Sequence, residues 1–303
     1  MRGARQMNIT DHPASGVVKM LLIGESGTGK TCSLASLADA GYNVRILDLD
    51  NGIDALKHLL VDPKSKYSRE AAARVDVQTI TEKMRNVQGR WVPAAATVWD
   101  RVGRILTEWR INDVQTLGNI GTWTPGDVLV VDSLTYLSLA ALNFHQAING
   151  RLGQIPEGFI GMKDIGSAQA LVERLLQALY AEQIRCNVIV ISHITYAEDK
   201  SAPQTLDQSG TPQPRPTHGY PSSIGAALSP RVGRYFNSVL MTELVGSKLT
   251  LTTKTKGIVA LKNTAPLRVP TSYPVETGLA QYFAAVKGDL DGKSTSQTSA
   301  SAA

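Results

Sequence analysis

The 303-residue sequence holds only two cysteines, Cys32 and Cys186. Both lie in apolar surroundings, and neither belongs to a metal-ligand spacing, so buried thiols are expected and a disulfide framework is excluded. No apolar run approaches the length of a membrane span, and Met1 to Pro13 lacks the apolar core of a secretory leader; a cytoplasmic protein without a membrane partner is expected. Aromatic residues amount to 6% and charged residues to 19%, while the hydrophobic fraction is 43%, enough for a sizeable core. The excess of positive charge is small. A net +5 and a pI near 9.1 permit a polyanionic partner without requiring one.

Against these shortages stands one dense stretch. Lys19 to Ile23 reads as a short apolar strand running into Gly24-Glu25-Ser26-Gly27-Thr28-Gly29-Lys30-Thr31, then through Cys32 into a helical run from Ser33 to Ala40. This is the G-x-x-x-x-G-K-T phosphate-binding loop in the setting it requires, after a strand and opening a helix. Gly27 and Gly29 allow a tight backbone whose amides can point at phosphates. Lys30 is expected to reach the β- and γ-phosphates of ATP, and the Thr31 hydroxyl to ligate Mg²⁺.

Around that stretch, strands and helices alternate. Val17 to Ile23, Val44 to Asp50, Arg74 to Thr81, Val128 to Asp132 and Asn187 to Ser192 read as strands. Helices are expected over Ser33–Ala40, Ile53–Leu60, a segment opened by Pro93 with Val98, Val102, Ile105, Leu106 and Trp109 on one face, Leu134–Ile148, and Ser167–Gln183. Helical spacing assigns the four tryptophans to core packing. Arg234–Leu244, Lys248–Lys254 and Gly257–Leu261 read as an antiparallel meander. The order predicts an α/β domain over 17–287, its mostly parallel sheet covered on both faces, between a flexible arm (1–16) and a disordered Ser/Thr/Ala tail (288–303).

In such a sheet, ligands sit beyond the carboxyl ends of the strands. Four ends carry polar chemistry: the phosphate loop, Asp48/Asp50, Asp132-Ser133 and Ser192-His193. Asp132, after four aliphatic residues, fits the acid that holds Mg²⁺. His193 can donate to a γ-phosphate oxygen.

These motifs together resemble the RecA family. Ile46 to Asp54 (ILDLDNGID) looks like its second-strand motif, Val128 to Leu134 (VLVVDSL) like its metal-acid strand, and Val188 to Thr195 (VIVISHIT) like the strand ending in its γ-phosphate sensor. Arg231 to Leu240 (RVGRYFNSVL) and Thr253 to Lys256 (TKTK) fall where the family has a late strand and a lysine pair. The resemblance implies a RecA-like P-loop ATPase fold over about residues 17–262. It makes Asp50 the water-orienting acid, with Asp48 or Glu25 able to share the task, and places Lys254 and Lys256 on nucleotide held by a neighbouring subunit. The short chain, the histidine sensor and a Pro-rich insert look closest to RecA-core ATPases of bacteriophages, some of which anneal or recombine single strands.

The same resemblance implies self-association into a ring or filament, with single-stranded DNA as a partner and a single-strand-binding protein as a further one. Two loops, 149–166 and 195–223, would carry DNA contacts through Arg151, Lys163, Lys200, Arg215 and His218, with Phe159 and Tyr220 as stacking faces. The rival readings are a helicase- or packaging-type motor and a nucleotide-switched assembly module that binds no DNA.

Overall fold

In the computed structural model, residues 16–153, 161–198, 202–205, 207, 209 and 211–291 are described. The expected arm (1–16, apart from Gly16), Phe159, Lys200 and most of the expected tail lie outside them.

Alternation within β1 (Lys19–Gly24) shows how the sheet is covered. Leu21 and Ile23 pack into one core with Leu134, Leu137, Val172 and Leu176, while Met20 and Leu22 pack into a second with Leu34, Leu37, Tyr282 and Phe283. Every residue of β1 is buried, as is every residue of β8 (Asp127–Asp132). Such strands must lie inside a sheet with helices on both faces. One layer is built from α4 (Val98–Thr107), α5 (Leu134–Ile148) and α6 (Met162–Tyr180). The other contains α1 (Leu34–Asp39), α2 (Asp54–Val61), α3 (Arg69–Ala73) and α7 (Val275–Asp291).

Between the layers the strand order is β13-β12-β11-β1-β9-β8-β2-β3, with β10 paired to β9. Here β2 is Asn43–Asp48, β3 Val75–Thr79, β9 Asn187–Glu198, β10 Thr217–Pro221, β11 Ser238–Val245, β12 Lys248–Thr252 and β13 Ser272–Pro274. The run from β11 to β3 is parallel; β12 and β13 close one edge antiparallel. Two short hairpins lie off the sheet: β4 (Met84–Val87) with β5 (Arg90–Pro93), and β6 (Trp109–Arg110) with β7 (Thr116–Gly118).

The α/β class and the mostly parallel sheet agree with the sequence reading; several elements do not. Pro93 ends β5 rather than opening a helix, and α4 starts at Val98 with its first amides capped by the Glu82 carboxylate. Trp109 falls beyond that helix because Glu108 is extended, at φ −151° and ψ 94°. Trp109 and Trp123 are buried edge-to-face against each other, whereas Trp91 is 68% exposed, against the core assignment. Helix α6 begins at Met162, so the expected loop loses its last residues to a helix. Strand β9 does not stop at His193 but continues to Glu198 as a ribbon with β10, which removes Thr195–Glu198 and Thr217–Pro221 from the second loop. The third meander strand is not Gly257–Leu261, where only isolated bridges form, but β13. Helix α7 reaches Asp291, past the expected start of the tail.

Candidate functional site: a cleft at the strand tips

Register brings the four chemically loaded strand ends together. Gly24 pairs with His193 across β1 and β9, and Asp48 with Asp132 across β2 and β8. The phosphate loop leaves β1 with Gly27 at φ 77° and Gly29 at φ 86°, a region in which only glycine is unstrained. Gly24 is required for a different reason. A Cβ there would lie 2.8 Å from Thr28 Oγ1 and collide with Thr242 on the neighbouring β11. Thr28 and Thr242 share a hydroxyl–hydroxyl bond of 2.7 Å, which clamps the loop to the sheet. After the loop the chain turns helically at once, Ser33 N–H donating to Gly29 O at 2.9 Å.

A cleft of about 220 Å³ opens over this loop, lined by Ser26, Gly27, Gly29, Lys30, Thr31, Cys32, Asp50, Asp132 and His193 among others. Lys30 Nζ donates to Gly24 O at 3.0 Å and Glu25 O at 2.6 Å. Burial lowers its pKa, opposed by the fields of Asp132, Asp50 and Glu25. Thr31 donates its hydroxyl to Asp132 Oδ2 at 2.6 Å. Burial raises the Asp132 carboxyl to about 7 despite that bond, and Asp50 and Asp48 push the same way. The Asp50 carboxyl is raised by burial and by Asp48, and His193 is held below its ordinary value by burial and by Lys30. The Asp132–Ser133 peptide is cis.

The geometry separates Asp48, which ends β2, from Asp50 in the turn after it. Asp48 accepts from Gly52 N at 3.1 Å and Thr79 Oγ1 at 3.0 Å, fixing the turn after the strand. Asp50 projects into the cleft. Among the described residues, no three His, Cys, Asp or Glu side chains are grouped so as to hold a metal alone. One hydroxyl and one carboxylate, Thr31 and Asp132, are nevertheless what Mg²⁺ takes from a protein when phosphates and water complete its shell. Beside the cleft lies a recess of about 690 Å³ that shares Cys32 and Ala55 with it and is walled further by His58, Leu59, Tyr67 and Val275. No spacing in the sequence marked this recess, whose walls come from α2, the segment after it, β12 and α7. Cys32 is half-buried rather than buried, and both thiols are free.

The remaining expected residues are scattered. Lys254 and Lys256 follow β12 rather than alternating along a strand, and Lys256 Nζ is bound to Glu243 at 3.1 Å. Arg151 forks onto the buried Asp164 carboxylate, also approached by His145, so its guanidinium is engaged within the protein. Lys163 is exposed in the first turn of α6 rather than in a loop. Arg215 is partly exposed just before β10.

The fold and this cleft define a P-loop nucleotide-binding domain. Residues 17–263 match the family model described as an AAA domain, and the chain belongs to that family; it carries an ATPase domain. Among curated proteins none matches. Solved structures similar to it include the RadB recombinase, at 14% identity and TM-score 0.41 over 86% of this chain and 89% of that one. An ATPase from the type III secretion system of pathogenic bacteria follows, at 14% identity and TM-score 0.33 over 75% and 52%. No helix among the described residues is long and apolar enough to cross a membrane.

Proposed function

We propose that the protein is a Mg²⁺-dependent ATPase that engages single-stranded DNA according to its nucleotide state, in recombination or strand annealing of the kind found in bacteriophages. The observation carrying this reading is the convergence of Lys30, Thr31, Asp50, Asp132 and His193 on one small cleft over a phosphate loop. Lys30 binds the β- and γ-phosphates, and Thr31 and Asp132 hold the metal. The donor set fits such an ion: the two raised carboxyls, Asp50 and Asp132, stand around a single ammonium, a local excess of negative charge. When bound, the metal supplies the positive charge that offsets this excess and the charge of the phosphates. Asp50 orients the attacking water, because the competing Asp48 carboxylate is already engaged by Gly52 and Thr79. The nucleoside end of ATP occupies the adjoining recess.

His193 reads the γ-phosphate. It lies within β9, whose next residues pair with β10, so a change at His193 has a direct route to the ribbon. Ser222, just past β10, donates its N–H to His193 O at 2.7 Å and tightens that link. Self-association then aligns DNA contacts from several copies. The test is binding of single-stranded DNA at low salt with and without a non-hydrolysable ATP analogue. Tighter binding with the analogue is expected; indifference to nucleotide would remove the DNA part and leave an ATPase that acts on proteins.

A further inference from the structure

The most exposed large aromatic among the described residues lies outside both loops expected to carry DNA contacts. Trp91 lies in β5 of the β4–β5 hairpin and is 68% exposed. Register pairs it with Asn86 and pairs Met84 with Pro93, and alternation puts these four on one face of the ribbon. Met84 and Pro93 wall a cavity of about 320 Å³ together with Tyr136, Leu139 and Asp50. Tyr136 and Leu139 are each 45% exposed. Leaving two aromatics and two aliphatics in water on one surface is costly unless something covers them.

The charge says what the cover is. From Lys83 to Trp99 the chain has three bases and no acid: Lys83, Arg85 and Arg90, all exposed. Arg101 and Arg104 line a second cavity at the root of the hairpin with Lys83, facing one acid, Asp100. Of the two carboxylates lining the cavity behind Met84 and Pro93, Glu82 is taken up by the amides of Thr97 and Val98, and the other is Asp50 of the cleft. The ribbon is also firmly rooted. Val92 is buried with Gly153 packed against it, and Ala94 N–H donates to Lys83 O at 2.7 Å.

Resting on the DNA reading above, we propose that the β4–β5 hairpin is a single-strand docking platform: a base stacks on Trp91 while the strand wraps the ribbon edge, so that its flanking phosphates meet Lys83 and Arg85, which alternation places on the opposite face. A rigid aromatic beside mobile cations is the combination that binds single strands without sequence preference. The cavity walled by Met84 and Pro93 is also lined by Asp50, which brings a coupling into the proposal: strand binding on the hairpin raises the ATPase rate.

The test uses the full chain with Mg²⁺ and a non-hydrolysable ATP analogue, titrated with labelled oligo(dT) and read by anisotropy and by tryptophan fluorescence. Stacking quenches Trp91, whereas the buried Trp109 and Trp123 do not respond. Trp91→Phe is expected to bind within about threefold of wild type but without the quench. Trp91→Ala should bind about tenfold more weakly. Arg85→Glu should lower both the affinity and its salt dependence. Both Trp91 variants and Arg85→Glu should keep the ATPase rate measured without DNA, which certifies their fold, and Trp91→Ala should lose the stimulated part. Oligo(dT) binding that is equal in wild type, Trp91→Ala and Arg85→Glu would overturn the platform and leave DNA binding elsewhere on the protein. A change in assembly mass with unchanged strand affinity would also overturn it, making the ribbon a contact between copies. Wild type that binds no strand in any nucleotide state would overturn both readings.

Discussion

Two lysines flank β1, one at each end, and they differ in an instructive way. Lys19 and Lys30 are each only 7% exposed, and each ammonium donates to two backbone carbonyls. Burial pushes both below the ordinary lysine value, Lys19 to about 8. Their surroundings separate them. Lys19 closes the amino edge of the sheet, where it bonds Leu179 O and Ile184 O. That edge is stitched shut by Asn187 and Asn237, which accept from Val18 N and Lys19 N at 2.9 Å. Lys30 stands at the carboxyl edge beside polar empty space, with Asp50, Asp132 and His193 around the same cleft. Neither burial nor a lowered amine marks a functional lysine; open room and charged company do.

The comparison breaks first, and hardest, at Lys30. Lys30→Ala should cut ATP turnover by about 10²–10³-fold, as loss of a charge stabiliser at a transferring phosphoryl group does, with the thermal midpoint little changed. A turnover assay showing a near-normal rate would put the chemistry elsewhere. Next in size is the pair of aspartates at the end of β2 and just past it. Asp50→Asn should slow turnover about 10²-fold while nucleotide binding persists. Asp48→Asn should instead cost about 1–2 kcal/mol of stability through its bonds to Gly52 and Thr79, with the smaller effect on turnover. If the two variants exchange these phenotypes in parallel turnover and denaturation measurements, the water-orienting role passes to Asp48.

The amino edge yields a pH signature. The unfolded Lys19 amine keeps its proton up to about 10.5, whereas the folded one loses it at about 8. Between those values the unfolded state holds more protons, so this group makes stability rise with pH, and its penalty is fully present below pH 8. Lys19→Met should lack that rise, and its turnover per folded molecule should match wild type. Parallel denaturation curves for the two proteins from pH 8 to 10.5 would contradict the assignment. Least affected is the exposed pair of Lys256 and Glu243: Lys256→Ala should shift stability by less than about 1 kcal/mol, measurable as a denaturant midpoint.

What could be read in advance follows the same division. The phosphate loop, Asp132 and His193 were legible because each is a polar residue ending a run of aliphatics, a pattern confined to a few neighbours in sequence. Helix α5 was legible to the residue for a similar reason, its apolar spacing being unbroken from Leu134 to Ile148. The β4–β5 hairpin was not, because in its two four-residue strands seven of eight side chains keep some exposure, so no apolar alternation marks them in the sequence. Helix α6 hid its first turn behind Gly161 and Gly166, the second of which sits inside the helix with open space around it. Trp109 kept helical spacing with α4 but lies past its end, where tertiary packing on Trp123 decides its place. Separating Asp48 from Asp50 needed Thr79, 31 residues away, which no local pattern supplies.

The central claim is that four strand tips serve one triphosphate, and a crystal structure with Mg²⁺ and a non-hydrolysable ATP analogue tests it most directly. The account predicts the terminal phosphate between Lys30 and His193, the metal on Thr31 and Asp132, and Asp50 facing the in-line water. A nucleotide seated outside the Gly24–Thr31 turn, or one leaving Asp132 and His193 without contact, would contradict it.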